Sequence, residues 1–174
     1  MALDLTADCS RCAALCCMAL PFDAGESFAI DKPGGMGCPH LARGGGCAIH
    51  ADKGARGFPG CNRYTCHGAG PYVTERMFGG QSWQDSPALA APMAAAFADM
   101  ARIHELALLL DQAARLPLPP EAAAERARLA AQLAPEPGWR PESARAFLAG
   151  DGPGAIRRFL QSLAPYVARP VSEG

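Results

Sequence analysis

The chain has 174 residues, with 16 Lys and Arg against 17 Asp and Glu, 19 Gly, 16 Pro and 8 Cys. A formal net charge of -1, with 14 Arg and 2 Lys scattered along the chain, gives no electrostatic footprint for a nucleic-acid partner. At 49% apolar and 19% charged the composition is globular, and no unbroken apolar run reaches the ~18 residues of a membrane span.

The chain opens MALDLTADC, with acids and a cysteine where a secretory signal needs Lys or Arg and then an apolar stretch, so a cytoplasmic protein is expected. In that reducing compartment cysteines serve as metal ligands or redox groups more often than as disulfides. All eight lie between Cys9 and Cys66. The segment from residue 1 to 80 also holds 14 of the 19 glycines and few large aliphatic side chains. Such a segment buries too little apolar surface to order itself, so a cross-link is expected to supply the deficit. A bound metal does so because its binding free energy becomes folding free energy.

The first cysteine block is CSRCAALCC, with Cys9, Cys12, Cys16 and Cys17. Read as a helix, it places Cys9, Cys12 and Cys16 within an arc of about 60°, with Cys17 about 100° beyond Cys16. Asp8 or Thr6 would cap it, and its dipole would favour thiolates. The second group, CPHLARGGGCAIH and GCNRYTCHGAG, supplies Cys38, Cys47, Cys61 and Cys66, with His40, His50 and His67 as further candidate ligands. Eight thiolates match two four-coordinate sites in number. Four disulfides would allow 105 pairings, but the adjacent Cys16–Cys17 pair disfavours that framework. Inert buried cysteines are a weak account of eight within 58 residues. Arg11, Arg43, Arg56 and Arg63 are either counter-charges for a thiolate site or ordinary solvated arginines.

Short strands are expected at 27–31 and 71–74. Beyond Pro87 the pattern becomes helical. Met93, Phe97, Met100, His104 and Leu108 form a stripe within a predicted helix over 88–115, in which His104 reads as a core or interface histidine. Further helices are predicted over 120–134, over 141–149, and from Pro153 until Pro165 ends the last. HELAL lacks the second histidine of a zinc-protease helix, and GDGPG reads as a helix stop and restart. Tyr64, Tyr72, Phe78 and Trp83 are expected to pack the two halves together.

The order CxxCxxxCC, CPHL, GCAIH, GCNRYTC resembles the CxxCxxCC cysteine-cluster family, a family described as zinc- or iron-chelating. The resemblance covers residues 9–70, with one additional residue between the second cysteine and the pair. The flanking ALPFDAGESFAIDKPGG and CHGAGPYVTERMFGG are similar to an actinobacterial branch in which the module precedes helices and then pentapeptide repeats. The cysteine block is also similar to that of flagellin lysine methylases with an iron–sulfur cluster.

The expected architecture is mainly α: an irregular metal-stabilised cysteine-rich module over 1–80, packed on a small helical bundle over 88–174. The expected function is zinc binding by Cys9, Cys12, Cys16, Cys17, Cys38, Cys47, Cys61 and Cys66 in a structural or metal-handling role, with the helical half open to a protein partner. A 4Fe-4S protein with redox or methyl-transfer-related activity and a copper(I) buffer or sensor are the alternatives. No catalytic residue is assigned.

Overall fold

The computed structural model describes residues 3–167. The described chain is mainly helical: α1 (Leu15–Ala19), α2 (Pro59–Arg63), α3 (Ala69–Pro71) running into a π-helical turn (Tyr72–Met77), α4 (Ala90–Ala113), α5 (Pro120–Gln132), α6 (Pro141–Ala149) and α7 (Gly152–Ser162). Among the described residues, extended pairing is confined to two isolated antiparallel bridges, Phe22 with Lys32 and Leu41 with Cys47. The expected strands at 27–31 and 71–74 are therefore corrected. The first is a run of bends, and the second lies in α3 and the π-turn, where Pro71 supplies helical φ after the turn at Gly68.

Proline placement explains the helical half. Pro87 opens a 3-10 turn that leads into α4, and Pro120 and Pro141 stand at the first position of α5 and α6. There the missing N–H costs nothing, because that donor has no intrahelical acceptor. At α6 the Ser143 hydroxyl accepts from the Arg140 N–H at 3.0 Å and donates to the Arg140 carbonyl at 3.1 Å. Gly150 ends α6 and α7 begins at Gly152, so GDGPG is a stop and restart. α7 buries Ile156 and exposes Arg157, Arg158 and Gln161.

α4 is the hub, touching α1, α3, the π-turn, α5, α6 and α7. Its buried face differs from the predicted stripe: Met93, Phe97, Met100 and His104 are buried and Ile103, Leu106 and Leu110 join them, whereas Leu108 is only half-buried. Burial of each large side chain contributes about 1.5–3 kcal/mol. The same apolar cluster takes in Ala13, Leu15, Met18, Ala69 and Val73 from the cysteine-rich segment, so the two segments share one core. Tyr72, Phe78 and Trp83 pack against that core as expected, whereas Tyr64 is 41% exposed. No described helix is long and apolar enough to cross a membrane.

Candidate metal centre

The single cysteine helix expected over CSRCAALCC is not formed. Asp8 caps a 3-10 turn over Cys9–Arg11, its carboxylate accepting from the Ser10 N–H at 2.9 Å; Cys12 is extended, and Ala14 at φ 53° reverses the chain before α1 begins at Leu15. A left-handed residue cannot continue an α-helix, so Cys9 and Cys12 do not share a helical face with Cys16. The first cysteines are instead placed by long-range contacts. The Ala13 N–H donates to the Thr74 hydroxyl at 3.0 Å, that hydroxyl donates to the Gly70 carbonyl at 3.0 Å, and the Trp83 indole donates to the Ala13 carbonyl at 2.7 Å.

The π-turn and α3 thus hold Cys12 beside Cys66. A Cβ at Gly70 would lie 2.6 Å from the Cys12 sulfur and 3.6 Å from the Cys66 sulfur, so the bare backbone here forms a cradle for both thiols. Cys16 and Cys17 lie on α1 with their sulfurs 3.9 Å apart. The Cys38 N–H donates to the Cys17 carbonyl at 3.1 Å, and the Leu41–Cys47 bridge brings the Cys47 loop back to the turn that follows Cys38. The His40 ring lies edge-on against Phe58 at 4.9 Å, which ties that loop to the turn leading to Cys61. All eight thiols are free; seven are half-buried and Cys9 is exposed. Among the described residues, no three His, Cys, Asp or Glu side chains stand ready-closed around a common point.

Burial pushes the Cys9, Cys12, Cys38 and Cys61 thiols up. Cys16 is raised because it donates its S–H to Cys17; the same bond lowers Cys17, whose thiolate also faces Lys32 and Lys53. A protonated, half-buried thiol set loses its protons when it takes a metal, so loading would be pH-dependent.

The structure redistributes the counter-charges. Arg11 forms a two-pronged pair with Glu75 at 2.9 and 2.7 Å, Arg56 pairs with Asp52 at 2.7 Å, and Arg63 reaches the Ser27 hydroxyl. The chain's only two lysines take the place beside the cysteines instead. Lys32 is 3% exposed, and its ammonium donates to the carbonyls of Met18, Pro33 and Met36 at 3.2, 3.0 and 2.8 Å. It also lies 5.4 Å from the Phe22 ring centre, within a small aromatic group of Phe22, Phe28 and Phe58. Burial lowers its pKa, opposed by the thiolates of Cys38, Cys17 and Cys16. The rarity of lysine in an arginine-rich chain was the available sequence signal for this residue.

The candidate histidines are spread out. His50 is exposed, His40 packs on Phe58, and His67, at φ 46°, offers its carbonyl to the His104 Nδ1–H at 2.5 Å. His104 is fully buried against Tyr72, and its Nε2 has no partner among the described groups. It clamps the turn following Cys66 from α4. Burial holds its pKa below the ordinary 6.5. As pH falls through 6.5 the unfolded chain takes the proton first, so stability is full above that pH and declines below it. The urea midpoint is expected to drop between pH 7.5 and 5.5, and the drop to shrink in His104→Asn, which keeps a donor for His67. An unchanged slope would remove His104 as its cause.

No family model matches the chain, and no solved structure matches it. The chain is 42% identical over 110 residues to "Uncharacterized protein YybG" of Bacillus subtilis (strain 168), an alignment covering 63% of this chain and 39% of that protein. The chain thus spans about two fifths of the length of the curated relative it matches.

Proposed function

We propose that the chain is a thiolate metal-binding protein of the cytoplasm that holds zinc through its eight cysteines in a structural or metal-handling role. The observation that supports this reading best is the concentration of seven half-buried free thiols in one short segment, with Cys16, Cys17 and Cys38 near a buried ammonium that is hydrogen-bonded to three carbonyls. A divalent ion held by four thiolates retains negative charge, and a fixed cation offsets it. Zinc suits the donor set because closed four-thiolate sites are its usual structural environment and its assembly requires no redox chemistry. The Gly70 cradle fits as well, since it lets the Cys12 and Cys66 sulfurs lie against bare backbone. Zinc would lock the cysteine loops, and the helical half would present a surface for a protein partner.

The test is elemental analysis of the full chain, purified anaerobically from its native host. Stoichiometric zinc in a colourless protein is expected, and chelation should leave the loops between Cys9 and Cys66 open to proteolysis. Iron with inorganic sulfide and broad visible absorption would replace this reading with the cluster one, and copper alone would replace it with a copper(I) site. Absence of any stoichiometric metal would end it.

A further inference from the structure

We infer that Cys16 and Cys17 form a redox-active dithiol, which hydroperoxides oxidise to a disulfide between the two adjacent residues and which small thiols such as glutathione restore. The inference does not rest on a bound metal, although the oxidation withdraws two donors from the ligand set proposed above. Proximity carries it. The two sulfurs lie 3.9 Å apart on α1 and form the one thiol–thiol hydrogen bond among the described residues. Both thiols are free and half-buried, so a small oxidant can reach them from solvent. A thiol with a second, resolving thiol beside it is a recurrent arrangement in redox-sensing cysteines. The Cys12 and Cys66 sulfurs, both near Gly70, share no such bond and are the nearest competitors.

One thiol of the pair, as its thiolate, attacks a hydroperoxide oxygen; the O–O bond breaks, the sulfur is oxidised to a sulfenic acid, and the leaving oxygen takes up the thiol's proton. The second sulfur then attacks the sulfenic sulfur; the S–O bond breaks, and hydroxide leaves as water with the second thiol's proton. Two thiols and hydrogen peroxide thus give one disulfide and two waters. Consecutive Cα atoms are about 3.8 Å apart, short of the roughly 4.4–6.8 Å that ordinary disulfides span, so this disulfide is strained and readily reduced. It is a transient state rather than a structural cross-link. Closing the ring must also turn the Cys16–Cys17 peptide out of helical geometry. The Cys16 carbonyl accepts from the Leu20 N–H at 3.2 Å and the Cys17 carbonyl from the Cys38 N–H at 3.1 Å, so oxidation loosens the tie between α1 and Cys38. Leu15 and Met18, fully buried on either side of the pair, keep α1 docked in the core meanwhile.

The experiment titrates the full chain, purified anaerobically, with hydrogen peroxide until the first disulfide appears. Remaining thiols are then capped with N-ethylmaleimide in urea and mapped by peptide mass spectrometry. Cys16 and Cys17 are expected as the uncapped pair, oxidised about tenfold or more faster than any other cysteine, with the other six of the eight thiols capped. Glutathione should return both to the capped set, and the same titration in urea should scatter the disulfides. Cys17→Ser is expected to stop at a sulfenic acid on Cys16, trapped by dimedone, whereas Cys47→Ser should leave oxidation of the pair unchanged. The wild-type map decides where a variant does not fold. A first disulfide that joins Cys12 to Cys66 or any other two cysteines, sulfinic acid at the pair, no disulfide in excess peroxide, or a pair equally reactive in urea overturns the inference. Metal content of the same preparation is read separately. Oxidation at the pair in a chain that holds no metal ends only the metal-binding reading, and stoichiometric zinc in a chain whose first disulfide lies elsewhere overturns only this inference.

Discussion

Lys32→Met is expected to destabilise the chain by roughly 3 kcal/mol or more and to weaken zinc retention, although the replaced side chain has nearly the same length. The ammonium reaches three carbonyls on two separate segments: Met18, one residue after Cys17 on α1, and Pro33 and Met36 on the approach to Cys38. Hydrogen bonds from a charged donor contribute about 1.5–3 kcal/mol each, and a buried carbonyl left unpaired costs about 1–3 kcal/mol. Methionine would remove all three bonds at once and bring no donor in return. The two-way backbone pairing of Phe22 with Lys32, at 3.0 and 2.7 Å, would remain, so the loop should loosen rather than detach. Lys32→Arg should not restore the wild type, because three carbonyls arranged around one nitrogen suit an ammonium rather than a planar fork. Urea unfolding of the metal-free chain measures the first effect and zinc transfer to a chelator measures the second. A Lys32→Met chain with wild-type values in both would show that the buried cation contributes nothing there.

The same residue shows where sequence reading stops. Helix boundaries in the second half follow from local chemistry: Pro120 and Pro141 fix the starts of α5 and α6, and Gly150 fixes the end of α6. Those signals lie within a few residues of what they determine. The position of Lys32 depends on α1 and on two loop carbonyls, and nothing adjacent to it marks it as buried. Ala14 is a sharper case, since the spacing of CSRCAALCC reads as one helix while a single left-handed alanine divides it. Its conformation is fixed by Thr74, which binds the next amide back along the chain from 61 residues away. The cysteine module was legible as a list of candidate ligands because thiol density is a property of composition. Its geometry was not, because loops rich in glycine take their shape from distant partners. His104 lies between these cases: its stripe indicated burial, but its bond to His67 reaches across 37 residues.

Gly68 and Gly70 lie two residues apart and separate backbone placement from thiol placement. At Gly68, φ is +84° and a Cβ would fall 2.1 Å from the Asp4 carbonyl oxygen, so Gly68→Ala meets both a left-handed backbone and a rigid atom. The left-handed conformation alone costs a non-glycine residue about 1–2 kcal/mol. The 3–8 segment, which Asp4 also ties to Arg11 at 3.5 Å, must then move away from the turn. A loss of roughly 2–4 kcal/mol is expected, from strain and overpacking together. Gly70 has an ordinary helical backbone, and its Cβ would strike the Cys12 sulfur, which can turn aside. Gly70→Ala should therefore cost less in the metal-free chain, about 1–3 kcal/mol. If Cys12 and Cys66 are zinc ligands as proposed, it should instead lower zinc affinity by about tenfold or more, because the displaced sulfur can no longer lie beside its partner. The pair is measured by urea unfolding with and without zinc. Gly68→Ala should be the less stable of the two without metal, and Gly70→Ala should gain the least from adding it. Equal gains from zinc in Gly70→Ala and the wild type would show that the cradle does not serve the metal.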